Sequence, residues 1–205
     1  MPFMRTLWLI ASIFVVCCSA VANAAGTFSA SEKPGGMVPD KECLVRTTGV
    51  GRVALGMTIA GAMAMYPAAK FVRTSDGDGV ALVAMLVDNE ELMQLFANEQ
   101  NPDAAIDPAR KIVFIETFNP RCRTGDGLYP GLAVARAEQI AGKTVRITRS
   151  EIESREYIQF ANHPVGITLR IDYSGICAPG ASATTQYQKG AKLFSLAISL
   201  PPEKW

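Results

Sequence analysis

The chain has 205 residues, 49% of them apolar, with 20 Lys and Arg against 19 Asp and Glu and a single histidine. That length suits one domain or two small ones, and a net charge of +1 argues against the gathered basic excess of a nucleic-acid binder. One histidine excludes a His-rich metal site or a multi-histidine relay.

The N-terminus has the three-part pattern of an export signal. Arg5 gives the positive start, Leu7 to Cys18 runs apolar apart from Ser12, and Ala22-Asn23-Ala24 supplies an A-x-A cleavage site. Residues 1–24 are therefore expected to be removed, leaving a periplasmic or secreted chain that begins at Ala25. The apolar run reaches the roughly 20 residues of a membrane span only by counting its small, polar tail. Lipid attachment at Cys17 or Cys18 is disfavoured by Val16, where such a signal wants a small residue. No transmembrane span is expected in the mature chain.

Three cysteines remain after cleavage: Cys43, Cys122 and Cys177. In an oxidising compartment they form one bridge and one leftover thiol, or stay as three buried small hydrophobes. Cys122 with Cys177 is the expected bridge, because both lie in loops of the same half. With no C-x-x-C in the mature chain and a single histidine, no zinc site is expected, and no cofactor is called for.

Residues 25–41 are rich in Gly, Ser, Ala and Pro and read as a flexible leader. Beyond them the pattern divides into 42–120 and 121–205. In the first part Thr58 caps a short helix whose inner side is Ile59, Ala62, Met63 and Tyr66, with Pro67 ending it. Val80 to Val87 is a buried strand entered through the Asp76-Gly77-Asp78-Gly79 turn. Asn89 to Asn98 reads as a further short helix with Leu92, Leu95 and Phe96 on one face, followed by a loop over Asn101 to Arg110.

In the second part Ala133 to Ala141 is a helix stopped by Gly142. Ser150 to Tyr157 fits either a helix, with a Ser150–Glu153 capping box and a Glu151–Arg155 pair, or a charged edge strand. Ile167, Leu169, Ile171 and Tyr173 alternate with polar residues, and Leu193 to Leu200 forms a last strand. Gly56–Met63 can be laid on Gly131–Glu138 at an offset of 75, and Phe71–Arg73 on Val145–Ile147 at 74. Val80–Val87 then falls near Val165–Ile171, and Ile112–Phe118 near Leu193–Leu200. The expected fold is α+β: two related units, each a short helix packed on an antiparallel β-sheet.

Gly49-Val50-Gly51-Arg52-Val53-Ala54-Leu55-Gly56-Met57-Thr58 resembles the G-x-G-x-V-x-L-G-M-T opening of many secreted bacterial proteins of unassigned role. Thr124 to Gly131 resembles the opening of their second half. The pattern over roughly residues 45–200 is similar to β-lactamase-inhibitory-protein-like repeats and to the small lipoproteins of outer-membrane assembly. That resemblance implies a helix start leading into an antiparallel sheet, and binding of proteins or envelope components rather than catalysis.

The functional expectation is thus an exported, non-enzymatic protein that binds a partner protein or a cell-envelope component, and no nucleic acid. Arg121, Arg123 and Tyr129 form the first candidate contact surface, and Arg155 with Tyr157 a second rim, since Arg and Tyr are favoured interface anchors. Two alternatives stand beside it: an inhibitor of a secreted enzyme, and a secreted hydrolase using Cys122 or an acidic pair. For a thiol enzyme His163 and Asp172 are the available base and orienter. The surroundings of Cys122 match no nucleophile signature, however, and His163 before Pro164 reads as a surface-loop residue. A calcium loop starting at Asp76 would place Val87 at its twelfth, acidic position, so a hairpin turn is expected there instead. Gly125-Asp126-Gly127 lacks the spacing of a phosphate cradle.

Overall fold

The computed structural model describes residues 43–150 and 155–204. The expected signal peptide and leader lie outside the described residues. Three short strands come first, β1 (Leu44–Arg46), β2 (Gly49–Val50) and β3 (Val53–Ala54), followed by helix α1 (Ile59–Met65). Then come β4 (Lys70–Ser75), β5 (Ala81–Val87), β6 (Glu90–Phe96), β7 (Phe114–Thr117) and β8 (Arg123–Thr124). Helix α2 (Val134–Ala141) precedes β9 (Thr144–Ser150), β10 (Arg155–Phe160), β11 (Thr168–Ile171), β12 (Ala183–Thr184) and β13 (Leu193–Ser199). A 3-10 turn at Pro202–Lys204 closes the described chain.

The strands form two sheets. The smaller is ordered β3-β2-β1-β8, and the larger β12-β9-β10-β11-β13-β7-β6-β5-β4. Every pair in the larger sheet is antiparallel, whereas β1 and β8 run parallel. The class is therefore α+β. The larger sheet joins strands from both sides of residue 120, through the β7–β13 pair.

Alternation decides which side of that sheet is covered. Val83, Met85, Leu95, Ile115, Ile198, Leu169, Ile158 and Ile147 pack in one core with Ile59 and Ala62 of α1 and with Val134 and Ala137 of α2. The residues between them face the other way, away from the core that α1 and α2 join. Burying one side of each strand fixes its register, because a slip of one residue would turn the apolar set outward.

The two helix starts are held alike. Gly56 and Gly131 both take positive φ, +81° and +91°, and each amide donates 2.7 Å to a carbonyl entering a distant strand, Ile112 and Leu193 respectively. Ile112 and Leu193 donate back to Met57 and Leu132 over 2.8 Å, while Ile59 and Val134 bond to Arg110 and Ala191. Thr58 caps α1 as its sequence predicts, its hydroxyl oxygen accepting from the Gly61 amide at 3.1 Å. Ala133 offers α2 no such side chain, and that helix ends at Gly142 with φ +81°. Gly49 is required by a close approach: a Cβ there would sit 2.4 Å from the Val53 carbonyl oxygen.

Two expectations are corrected. Residues 90–96 are a strand and not part of a helix. Asp88 and Asn89 take φ of 54° and 65°, the two left-handed positions of a type I′ hairpin turn between β5 and β6. The disulfide joins Cys122 to Cys43, not to Cys177, because β1 and β8 are neighbours in the smaller sheet. Cys177 is a half-buried free thiol. Ser150 and Arg155 pair across the β9–β10 hairpin, so the strand reading holds for them, although both strands are interior. Residues 151–154 lie outside the described residues.

Glu138 ties α2 to the segments around it. Its carboxylate accepts from the Thr144 amide at 2.8 Å and the Tyr187 hydroxyl at 3.1 Å, and Lys143 is 3.8 Å away. Burial pushes its pKa up, but the Thr144 and Tyr187 hydrogen bonds and the Lys143 charge outweigh this and hold it below the ordinary 4.5. Partial burial, and then the same bond to Glu138, push the Tyr187 phenol upward. A carboxylate whose folded pKa is depressed stabilises fully above its unfolded value and loses that contribution as pH falls through the folded one. We expect the stability gap between the native chain and Glu138→Gln to be largest above pH 4.5 and to close below it, as urea midpoints at several pH values would record. A gap independent of pH would refute this.

Candidate functional site

The uncovered side of the larger sheet gathers its polar and aromatic residues at the centre. On β7, Phe114 and Glu116 share that side, since they stand two residues apart. Glu116 is opposite Gln94 on one neighbour and Ala197 on the other, and Phe96 is opposite Phe114. The register shifts where Arg170 and Ile171 meet Ser195 and Leu193, which leaves Phe194 outside the pairing and 44% exposed. Arg170 Nη1 donates to Glu116 Oε1 at 2.7 Å, and the Ser195 hydroxyl donates to the same oxygen. The Arg170 guanidinium lies 5.0 Å from the Phe194 ring centre, and Phe194 meets Phe118 edge to face at 5.3 Å.

One long-range ion pair shapes this side. Arg155, at the start of β10, reaches Asp76, at the tip of the β4–β5 hairpin, over 3.2 Å. β10 and β4 are six places apart in the sheet, roughly 28 Å if it were flat at the usual strand spacing. The sheet therefore curls here and makes its uncovered side concave. Between the two ends is a cavity of about 730 Å³, lined among others by Val80, Leu82, Phe96, Phe114, Phe118 and Phe194, with Glu116 and Arg170 also lining it. Asp76 is itself fixed by the turn, since its Oδ1 accepts from the amides of Asp78 and Val80 at 3.0 and 2.9 Å.

The residues named from the sequence fall on two separate sheets. Arg123 is on β8, the edge of the smaller sheet, where its guanidinium lies 4.9 Å over the Tyr129 ring and donates to the Pro120 carbonyl at 3.3 Å. Arg121 is exposed beside it, its amide donating to Asn119 Oδ1. Arg155 and Tyr157 belong to the concave side, with Tyr157 opposite Arg170. The sequence reading missed Glu116, Arg170, Ser195, Phe118 and Phe194. The available signal was an acid inside the apolar run Ile112 to Phe118, a position that needs a buried partner.

The thiol, base and orienter considered from the sequence are each engaged within their own surroundings. Cys122 is buried and disulfide-bonded, so it offers no thiolate. His163 Nε2 is 2.8 Å from the Ile167 carbonyl within its own turn, and Asp172 accepts from Ser174 at 2.6 Å. Among the described residues no group of three or more His, Cys, Asp or Glu is placed to hold a metal ion, and no helix is long and apolar enough to cross a membrane. On the helix side, Arg149 bonds the buried Glu156, which raises its guanidinium pKa further.

No protein-family model matches the chain, and no curated protein does. Among solved structures it is similar to the uncharacterized protein YfeY from Escherichia coli. The two share 10% sequence identity and superpose with a TM-score of 0.51 over 77% of this chain and 99% of that one. At that identity the likeness concerns the fold alone.

Proposed function

We propose that this is an exported, non-enzymatic protein of two related α+β units that binds a partner protein or an envelope component through the concave side of its larger sheet. The observation that carries the reading is the exposed Phe194, edge to face with Phe118, above the Arg170–Glu116 ion pair. An aromatic rim over a neutralised polar floor gains from being covered and costs little charge desolvation, which is the anatomy of a contact centre. The bonds that hold Gly56 and Gly131 support relatedness of the units, since both openings make the same pattern of bonds in the same order, one to Ile112 and Arg110 and the other to Leu193 and Ala191. Export rests on the N-terminal signal pattern, and the Cys43–Cys122 disulfide fits an oxidising compartment.

The test places a photo-crosslinking residue at position 194 and, as control, at the exposed Val165. In cells carrying the full chain, position 194 should give one defined protein adduct that position 165 does not. Equal labelling from both positions, or none from 194, would refute the concave-side assignment.

A further inference from the structure

The cavity within the concave side has properties that partner binding does not require. Its volume, about 730 Å³, falls inside the roughly 300–1,000 Å³ range of small-molecule sites, and the apolar part of its lining is four phenylalanines with Val80 and Leu82. Its polar floor is not fully satisfied. Glu116 is only 7% exposed, and both hydrogen bonds to its carboxylate, from Arg170 and Ser195, end on Oε1. No hydrogen bond found among the described residues ends on Oε2, and Glu116 lines the cavity. A carboxylate oxygen so nearly desolvated gains from a donor, most of all a charged one.

The surrounding charge favours the same sign of ligand. Arg170 and Arg155 are the two cationic side chains in the lining and pair with carboxylates at 2.7 and 3.2 Å; Arg170 keeps a buried Nε without a partner, but the lining holds three carboxylates against these two cations. An anion entering the cavity would face Glu116, Asp76 and Asp78. A cation would meet an open carboxylate oxygen and the faces of phenylalanine rings, which attract ammonium groups. We infer that this cavity binds a small aromatic or otherwise apolar molecule carrying a protonated amine, with the amine on Glu116 Oε2 and the apolar body among Phe96, Phe114, Phe118 and Phe194. This goes beyond the partner reading and does not rest on it, and it is tested on the purified protein alone.

The probe is dansylcadaverine, an environment-sensitive aromatic amine, titrated by fluorescence beside its neutral N-acetyl form and the carboxylate dansyl-6-aminohexanoate. The amine should bind at least tenfold more tightly than either analogue, and Glu116→Gln should remove that preference. Phe194→Ala, which leaves the Arg170–Glu116 pair in place, should weaken all bound forms at least fivefold while preserving their order. Equal affinities, preference for the carboxylate, no saturable binding of the amine at millimolar concentration, or a preference surviving Glu116→Gln would overturn the site. Should Glu116→Gln not fold, the Phe194→Ala series decides, and unchanged affinity for the amine overturns the proposal.

Discussion

Reduction of the Cys43–Cys122 disulfide is expected to lower stability by about 4.5 kcal/mol. The bond closes a chain segment of 79 residues, and the loop-closure entropy restored to the unfolded chain on cutting such a loop is of that size. The location adds to its importance. The smaller sheet is made of strands of two and three residues and has few ladder bonds of its own. Its only parallel contact, β1 with β8, lies beside the bond. Urea unfolding of the oxidised and reduced chain should show a lower midpoint on reduction. Cys177→Ser, at a half-buried free thiol, should leave the oxidised midpoint nearly unchanged. Peptide mapping that links Cys122 to Cys177, or a midpoint insensitive to reduction, would contradict this account.

That bond also shows where sequence reasoning stops. Pairing Cys122 with Cys177 assumed that a bridge stays within one half of the chain. The actual partner is set by a parallel pairing of two-residue segments, Leu44 with Arg123 and Val45 with Thr124, and no local pattern announces such a contact. Elements with strong local chemistry were legible. Thr58 as a helix cap, the Asp76 turn, the continuous run of β5 and the last strand all depend on neighbours in sequence. Glu90 to Phe96 was not, because an interior strand apolar on both faces can mimic helical spacing, and only the left-handed Asp88-Asn89 pair separates the two.

The concave side was legible only in fragments. Arg155 and Tyr157 stood out as charge beside an aromatic ring, and both lie there. Glu116, Arg170 and Ser195 come from three strands separated by up to 79 residues, so their convergence is a product of sheet order. Phe194 owes its exposure to a register shift, which the alternating pattern of β13 conceals. The Arg121, Arg123 and Tyr129 group, by contrast, was chosen for residue type, and Arg123 with Tyr129 is partly used up in an internal stack.

The second large effect should come from Glu156, an acidic side chain with no exposed surface on the helix side of the larger sheet. Arg149 holds its Oε1 through Nε and Nη2 at 2.9 and 2.6 Å, and the Gly175 amide donates to Oε2 at 2.8 Å. Gly175 can approach because it has no side chain: a Cβ there would lie 3.0 Å from Ile147 and 3.1 Å from the carboxylate. The group thus anchors the segment after β11, where Tyr173 takes φ 58° under the Arg149 guanidinium. Removing one partner of a buried pair leaves the others unsatisfied, and we expect Glu156→Ala to cost about 3 kcal/mol, the low end because Arg149 still reaches water. Glu156→Gln, which can still accept from Gly175, should cost less. Hydrogen exchange separates a local anchor from a general weakening of the fold. In Glu156→Ala the amides of Gly175 and Gln188 should lose more protection than those of β5, since Gln188 bonds back to Ser174 in the same segment. Equal loss of protection in β5 would mean that Glu156 supports the whole sheet rather than this one connection.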